Sequence, residues 1–363
     1  MGEPLAKKST RGVKIPGHKV CVILGAGASH GVRNVGTPDR HPELRPPLAN
    51  KLFDMNENSH YFQTIMEPYP RAKVLTQIIA PTAAAGTTTI ETELARLARH
   101  DDLQTSQDFK QIPPYLRDLL HKVSKDYIPL PGHYIQLAHL LLKDHQCEVL
   151  FLVLNYDDLL EQALTHLYPS LKFSNIRHYV DTERPFKVVK LHGSINWFTK
   201  LSDLHTDNWA DLVSNLDIFA KIPEEDIFIN ESVVKTSDWI GDDVNRYVYP
   251  LVTAPVASED KAPVCPDSHY DFAKQFLSDC ETFLVIGTAA LDQDVFDLIN
   301  SSAPSTTNAV LHVVDHGNIE STTKNLRDGV GIFMHSNLTR SNAGFGGYLG
   351  STEVQNLVKH ING

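Results

Sequence analysis

The sequence predicts an α/β protein: a doubly wound parallel sheet covered by helices, with a helical subdomain inserted after the first strand. Three observations carry this expectation. Five short aliphatic runs are nearly continuous rather than alternating, as strands buried on both faces are. Amphipathic helical patterns separate several of them. Each run ends in a glycine or polar cluster, the place where an open α/β sheet binds its ligands.

The first run, "KVCVILG", leads into Gly25-Ala26-Gly27-Ala28-Ser29. The stretch before the second run is far longer than one crossover needs. Within it "TIETELARLARH" (89–100), "PYLRDLLHKVSK" (114–125) and "GHYIQLAHLLLKDH" (132–145) read as helices, so a helical insertion is expected at about 55–145. After the second run, "EVLFLVLN", comes "YDDLLEQALTHLY". There Leu159, Leu160, Ala163, Leu164 and Leu167 share a face, and Asp157 and Asp158 are expected in the first turn, where acids suit the helix dipole. The third run is "FKVVKLHGS". Beyond it, at about 200–245, Trp209, Trp239 and many acidic residues with weak periodicity read as a loop-rich insertion. The fourth run, "TFLVIGTAA", precedes a helical "TAALDQDVFDLINSS"; the fifth is "AVLHVVDHG". The glycine-rich "SNAGFGGYLGS" reads as a loop. Strand, loop and helix in repeated order give a Rossmann-like topology over 18–363, behind a flexible N-terminal segment, 1–17.

Composition narrows the function. The 363 residues are 42% hydrophobic and 21% charged, as in ordinary globular proteins. With 33 basic against 44 acidic residues, the net charge of −11 argues against a broad nucleic-acid or anionic-membrane surface. Cys21, Cys147, Cys265 and Cys280 form no C-x-x-C pair, so neither structural zinc nor a disulfide framework is expected; Cys21 and Cys280 read as small core residues. No metal site is expected. The basic N-terminal residues contain no apolar core of a signal peptide, no run reaches a membrane span, and Ala6 removes a myristoylation signal. A reduced, cytoplasmic setting is expected.

The strand ends offer the chemistry. Glycines in "GAGAS" allow a tight turn and let backbone N–H groups approach a pyrophosphate, although His30 replaces the third glycine of G-x-G-x-x-G. An unliganded strand-to-turn corner would carry the same residues. In "LNYDD", Asn155 could hold a ribose hydroxyl or a water, or simply cap the following helix. In "KLHGS", His192 stands where a buried strand opens into a glycine turn and could be a general base, or a structural histidine bonded to a loop. Gly287 and Thr288 offer another loop at a helix start, and Asp315 an acid placed for an adenosine ribose.

In this order, "GAGAS", "LNYDD", "KLHGSINW" and "LVIGTAALDQD" resemble the motifs of the sirtuin-like family, and more closely its bacterial NAD-consuming branch than its protein-deacylating branch. The resemblance implies that Gly25, Ala26, Gly27, Ala28 and Ser29 contact the NAD+ pyrophosphate. It implies that Asn155 and His192 are catalytic, and that Asp157, Gly287 and Thr288 bind the dinucleotide. The two C-x-x-C pairs of the deacylating branch are absent, and "GTPDR" (36–40) matches the family's G-I-P-D-F-R loop too poorly to carry a role.

The chemistry implied is cleavage of the nicotinamide–ribose bond through an oxocarbenium-like transition state, with NAD+ a substrate and no retained cofactor. Water as nucleophile gives nicotinamide and ADP-ribose; an acyl-lysine oxygen would give deacylation, and another acceptor ADP-ribosyl transfer. A catalytically idle module that senses NAD or ADP-ribose is a further alternative. The resemblance further implies an antiphage effector that depletes NAD, held inactive as a homo-oligomer or by a partner. A ring-forming helicase-like ATPase is the first expectation for that partner and an Argonaute-like protein the second.

Overall fold

The computed structural model describes residues 17–36, 45–48, 51–53, 64–84, 93, 96, 108–128, 130–201, 233–234, 247–252, 264–290, 292–303 and 309–363. The first sixteen residues, the helix expected at 89–100 apart from two positions, and most of 200–245 lie outside them.

A six-stranded parallel sheet runs in the order β3-β2-β1-β7-β8-β9. Its strands are β1 (Lys19–Leu24), β2 (Glu148–Val153), β3 (Phe186–Lys190), β7 (Thr282–Ile286), β8 (Val310–Val314) and β9 (Asn337–Ser341). Five coincide with the aliphatic runs. The strand order reverses between β1 and β7, the switch point at which doubly wound sheets hold ligands.

Each strand serves two cores, which explains the unbroken hydrophobicity. Val20, Val22 and Leu24 of β1 face one cluster, while Cys21 and Ile23 face the other. On the first face pack α2 (Pro70–Ala84), α3 (Ile112–Tyr127), α4 (Gly132–His139) with its π-helical continuation Leu140–Asp144, and α5 (Leu159–Leu167). The inserted helices thus share the sheet's core. The second face is covered by α6 (Asp267–Leu277), α7 (Gln293–Ser302) and α8 (Ile319–Gly329).

Four features depart from the sequence reading. A three-stranded sheet of order β5-β4-β6, from β4 (Gly193–Leu201), β5 (Val233–Val234) and β6 (Tyr247–Val252), was not among the expected strands; β4 and β6 flank the stretch read as a loop-rich insertion. The polar edge strand β9 carries no aliphatic run. "GFGGYL" forms a short helix, α9 (Gly344–Leu349), ahead of α10 (Thr352–Asn362), because Phe345 and Tyr348 are buried against the first core. Asp157 and Asp158 precede α5 instead of occupying its first turn: Asp158 is the N-cap residue, and Asp157 Oδ1 accepts from Leu159 N at 3.1 Å. No described helix is long and apolar enough to cross a membrane.

Candidate functional site

Strand register assembles the site. Leu24 pairs with Val153 and with Ile286, and Val153 pairs with Lys190. Two residues beyond these partners stand Ala26, Asn155, His192 and Thr288, side by side along the carboxyl edge of the sheet. One row therefore contains a residue from each of the four sequence motifs.

At its centre Asn155, 6% exposed, turns back over the switch point instead of capping α5. Its Nδ2 donates to Gly25 O at 2.9 Å and to Ser29 Oγ at 2.8 Å, with Tyr134 Oη at 3.5 Å. Ser29 Oγ is also 2.9 Å from Tyr134 Oη. With Nδ2 committed to these acceptors, Asn155 Oδ1 is buried and has no partner among the described residues. A buried unpaired acceptor is costly unless a donor arrives, so the amide is oriented to receive a hydroxyl or water proton.

The glycines also serve a close backbone contact. Helix α1 (Ala26–His30) is five residues long, and its Gly27 N–H donates to Gly287 O at 2.8 Å while Ala28 N–H returns to Gly25 O at 2.9 Å. Gly287 has φ +63°, and a Cβ there would lie 2.1 Å from Ala28 N; one on Gly25 would lie 2.5 Å from Gly287 O. The two loops flanking the switch point thus touch backbone to backbone, and glycine is required for that contact. Thr288 Oγ1 accepts from Ala290 N at 3.1 Å. A helix does not begin at Gly287 and Thr288: α7 starts only at Gln293, with Asp292 as its N-cap residue. Asp315, after β8, takes His316 N at 2.6 Å and Thr322 Oγ1 at 2.9 Å, so its oxygens hold a local turn.

Beneath Asn155 lies a buried charge cluster. Lys190, fully buried, donates to Glu161 Oε1 at 3.0 Å, to Tyr156 O at 3.4 Å and to Asp157 O. Tyr179 Oη donates to the same Glu161 oxygen at 3.2 Å. Burial holds the Asp157 and Glu161 carboxyls above their usual range, with the Lys190 ammonium opposing the shift. Asn196 Nδ2 adds a bond to Asp158 Oδ2 at 3.0 Å. Lys190, Asn196 and Glu161 together pin the loop 155–158.

His192 stands beside Tyr156, with ring centroids 6.2 Å apart, and its Nε2 lies 2.8 Å from Asp292 Oδ2. The ligand atoms of His192, Asp292 and Asp294 lie within 4.8 Å of one another, close enough to hold a metal ion. Beside Asp292, between the sheet and the helices α7 and α8, a small apolar cavity of about 10 Å³ is lined by Ile23, Leu154, Val285, Thr288, Val295 and Leu326. Sequence reasoning missed Tyr134, Lys190, Glu161 and Asp292. Only Asp292 left a local trace, an aspartate just ahead of a helical pattern.

No family model and no curated protein matches this sequence. Among solved structures it is similar to an NAD complex of a Sir2 homologue (14% identity, 95% of this chain and 89% of the other, TM-score 0.45). It is also similar to a mutant Sir2 homologue with 2'-O-acetyl ADP-ribose (13%, 94% and 93%, TM-score 0.41) and to Sir2Tm bound to a propionylated peptide (14%, 90% and 87%, TM-score 0.38). Likenesses of this strength leave the chemistry to this chain's own side chains.

Proposed function

We propose that the protein is an NAD+ glycohydrolase, in which Asn155 and His192 carry the cleavage. The observation that supports this most is the buried amide of Asn155. Its donors are spent on Gly25 O and Ser29 Oγ and its acceptor is unpaired, in the same edge row as His192. The arrangement suits a ribose hydroxyl or a water held over the carboxyl edge. The C1'–N bond breaks with its electron pair leaving on nicotinamide, which departs neutral. Water adds to the oxocarbenium-like ribose and gives its proton to His192, so the products are nicotinamide, ADP-ribose and a proton. Asn155 orients the water or the ribose, and His192 bonds the ribose hydroxyls and serves as general base.

Gly25 to Ser29, Asp157, Gly287, Thr288 and Asp315 line or support the dinucleotide in this reading. Ser29 is buried and acts through Asn155, and Asp157 is buried and holds the start of α5. Gly27 N–H is already bonded to Gly287 O, so the loop contributes shape and its remaining groups. In a cell the enzyme depletes NAD as an antiphage effector, restrained by self-assembly or by an ATPase or Argonaute-like partner.

The test is release of nicotinamide and ADP-ribose from NAD+ by the full chain, with and without such a partner. Asn155→Ala and His192→Ala are each expected to lower turnover at least ~100-fold, the scale of a lost general base, with the melting temperature held within a few degrees. Turnover at the wild-type rate in both variants refutes the site. Turnover that requires an acyl peptide points to deacylation instead.

A further inference from the structure

The hydroxyl of Tyr134 reaches the Asn155 amide from outside the sheet. Tyr134 is the third residue of α4, in the helical insertion, and Phe345 of α9 sets its ring edge-on against it, with centroids 5.4 Å apart. Tyr134 Oη lies 2.9 Å from Ser29 Oγ and 3.5 Å from Asn155 Nδ2, and Ser29 Oγ itself accepts from Asn155 Nδ2 at 2.8 Å. All of these side chains are buried. An amide nitrogen only donates, and Gly25 O, which takes Nδ2 at 2.9 Å, has no hydrogen to give to an oxygen in its place. The amide therefore sits with its donors on this side and Oδ1 turned away from them.

The Ser29–Tyr134 bond secures the second of those donors. Whichever hydroxyl gives the proton, the bond fixes the rotation of Ser29 and leaves a lone pair of Oγ facing Asn155. Burial, with the Asp157 carboxyl beside it, pushes the Tyr134 hydroxyl well above its ordinary range, so it stays neutral. Without Oη the Ser29 hydroxyl is free to rotate, and the amide loses a fixed acceptor.

We propose that Tyr134 is a positioning residue for Asn155, its hydroxyl acting through Ser29 to hold the amide with Oδ1 left to accept from a ligand. The consequence for turnover rests on the NAD+-cleaving reading; the hold on the amide does not.

Two readouts keep them apart. Side-chain ¹H–¹⁵N spectra of the full chain, with the Asn155 pair assigned by its loss in Asn155→Ala, report on the amide directly. Tyr134→Phe keeps the ring and removes one oxygen; it is expected to shift the pair and to speed its exchange with D2O at least ~10-fold, the scale of one lost hydrogen bond. Phe345→Leu, which loosens the ring that carries Oη, is expected to move the pair the same way to a smaller extent. Tyr115→Phe is the control: that buried hydroxyl bonds Leu52 O at 2.8 Å instead, so its loss is expected to lower the melting temperature and leave the Asn155 pair unchanged. The second readout is NAD+ cleavage, where Tyr134→Phe is expected to lower kcat at least ~10-fold with KM changed by less than ~3-fold and the pH profile unmoved, and Tyr115→Phe to stay within ~2-fold of wild type. Because Tyr134 acts through Ser29, Ser29→Ala with Tyr134→Phe is expected to match Ser29→Ala alone within ~2-fold.

An Asn155 pair unchanged in both Tyr134→Phe and Phe345→Leu, or changed as much in Tyr115→Phe, overturns the proposal whatever the activity. Losses of kcat that multiply in the double variant also overturn it, since Tyr134 would then act by another route. A chain that cleaves no NAD+ but whose Asn155 pair responds as expected refutes only the NAD+ reading.

Discussion

Lys190→Met tests how the floor of the site is held. The substitution keeps the stem and removes an ammonium that is fully buried against Glu161, itself 4% exposed. Breaking one side of a buried pair leaves an uncompensated charge and costs about 3–5 kcal/mol. The carbonyls of Tyr156 and Asp157 also lose a donor. For a chain of this length about 4 kcal/mol corresponds to a fall of roughly 5 °C in melting temperature. Burial already lifts the Glu161 carboxyl and Lys190 is the main influence lowering it, so in the variant it rises further. A folded pKa above the unfolded one means the native state binds the extra proton, and stability falls as pH rises through that window. Lys190→Met is therefore expected to be closer to wild type at pH 5 than at pH 8. Adding Glu161→Gln should restore about 2 kcal/mol at pH 8. Urea and thermal unfolding of the four proteins at both pH values complete the cycle. A single variant within about 1 kcal/mol of wild type at both pH values, or a double variant no better than Lys190→Met, refutes the buried-charge argument.

Gly287→Ala forces a Cβ to within 2.1 Å of Ala28 N at φ +63°, so a loss above about 3 kcal/mol is expected, whereas Gly317→Ala, with nothing within 4 Å, should stay within about 0.5 kcal/mol; thermal unfolding compares them. His269 and His312 are buried and pushed down to about 4, both chiefly by burial, with His360 adding to the second. Below about 6.5 the unfolded chain takes up protons that these rings refuse, so each ring removes up to about 3 kcal/mol of stability as pH falls from about 6.5 to about 4. Asp157 and Glu161, raised by burial, act in the opposite sense. Replacing His269 with Gln should flatten the dependence of unfolding free energy on pH in that window; an unchanged slope counts against the buried neutral imidazole.

The five aliphatic strands were legible because burial on both faces demands uninterrupted apolar residues. Strand β9 was not, since an edge strand with one covered side tolerates "NLTRS". Asn155 and His192 could be picked out because they end apolar runs. What surrounds them could not. Tyr134 reaches Asn155 from an inserted helix, Glu161 meets Lys190 from the far end of a turn, and Asp292 meets His192 across the sheet. No local pattern encodes which distant side chain will face which. Gly25 and Gly27 were read as room for a phosphate; they also admit the Gly287 backbone, a partner that only the folded chain supplies.

The placement of β1 at the middle of the sheet also sets a timetable. Its neighbours are encoded far downstream: Gly25 meets Asn155 across 130 residues, and His18 just before the strand meets Thr282 across 264. At about 5–20 residues per second of synthesis, the first partner emerges roughly 7–25 s after the glycine loop and the second roughly 13–50 s after it. Until Gly287 and Asp292 have left the ribosome, the loop has no wall to close against and His192 no carboxylate to face. Premature termination anywhere before them leaves the carboxyl edge unassembled, so the edge is complete only in chains translated past its last contributor.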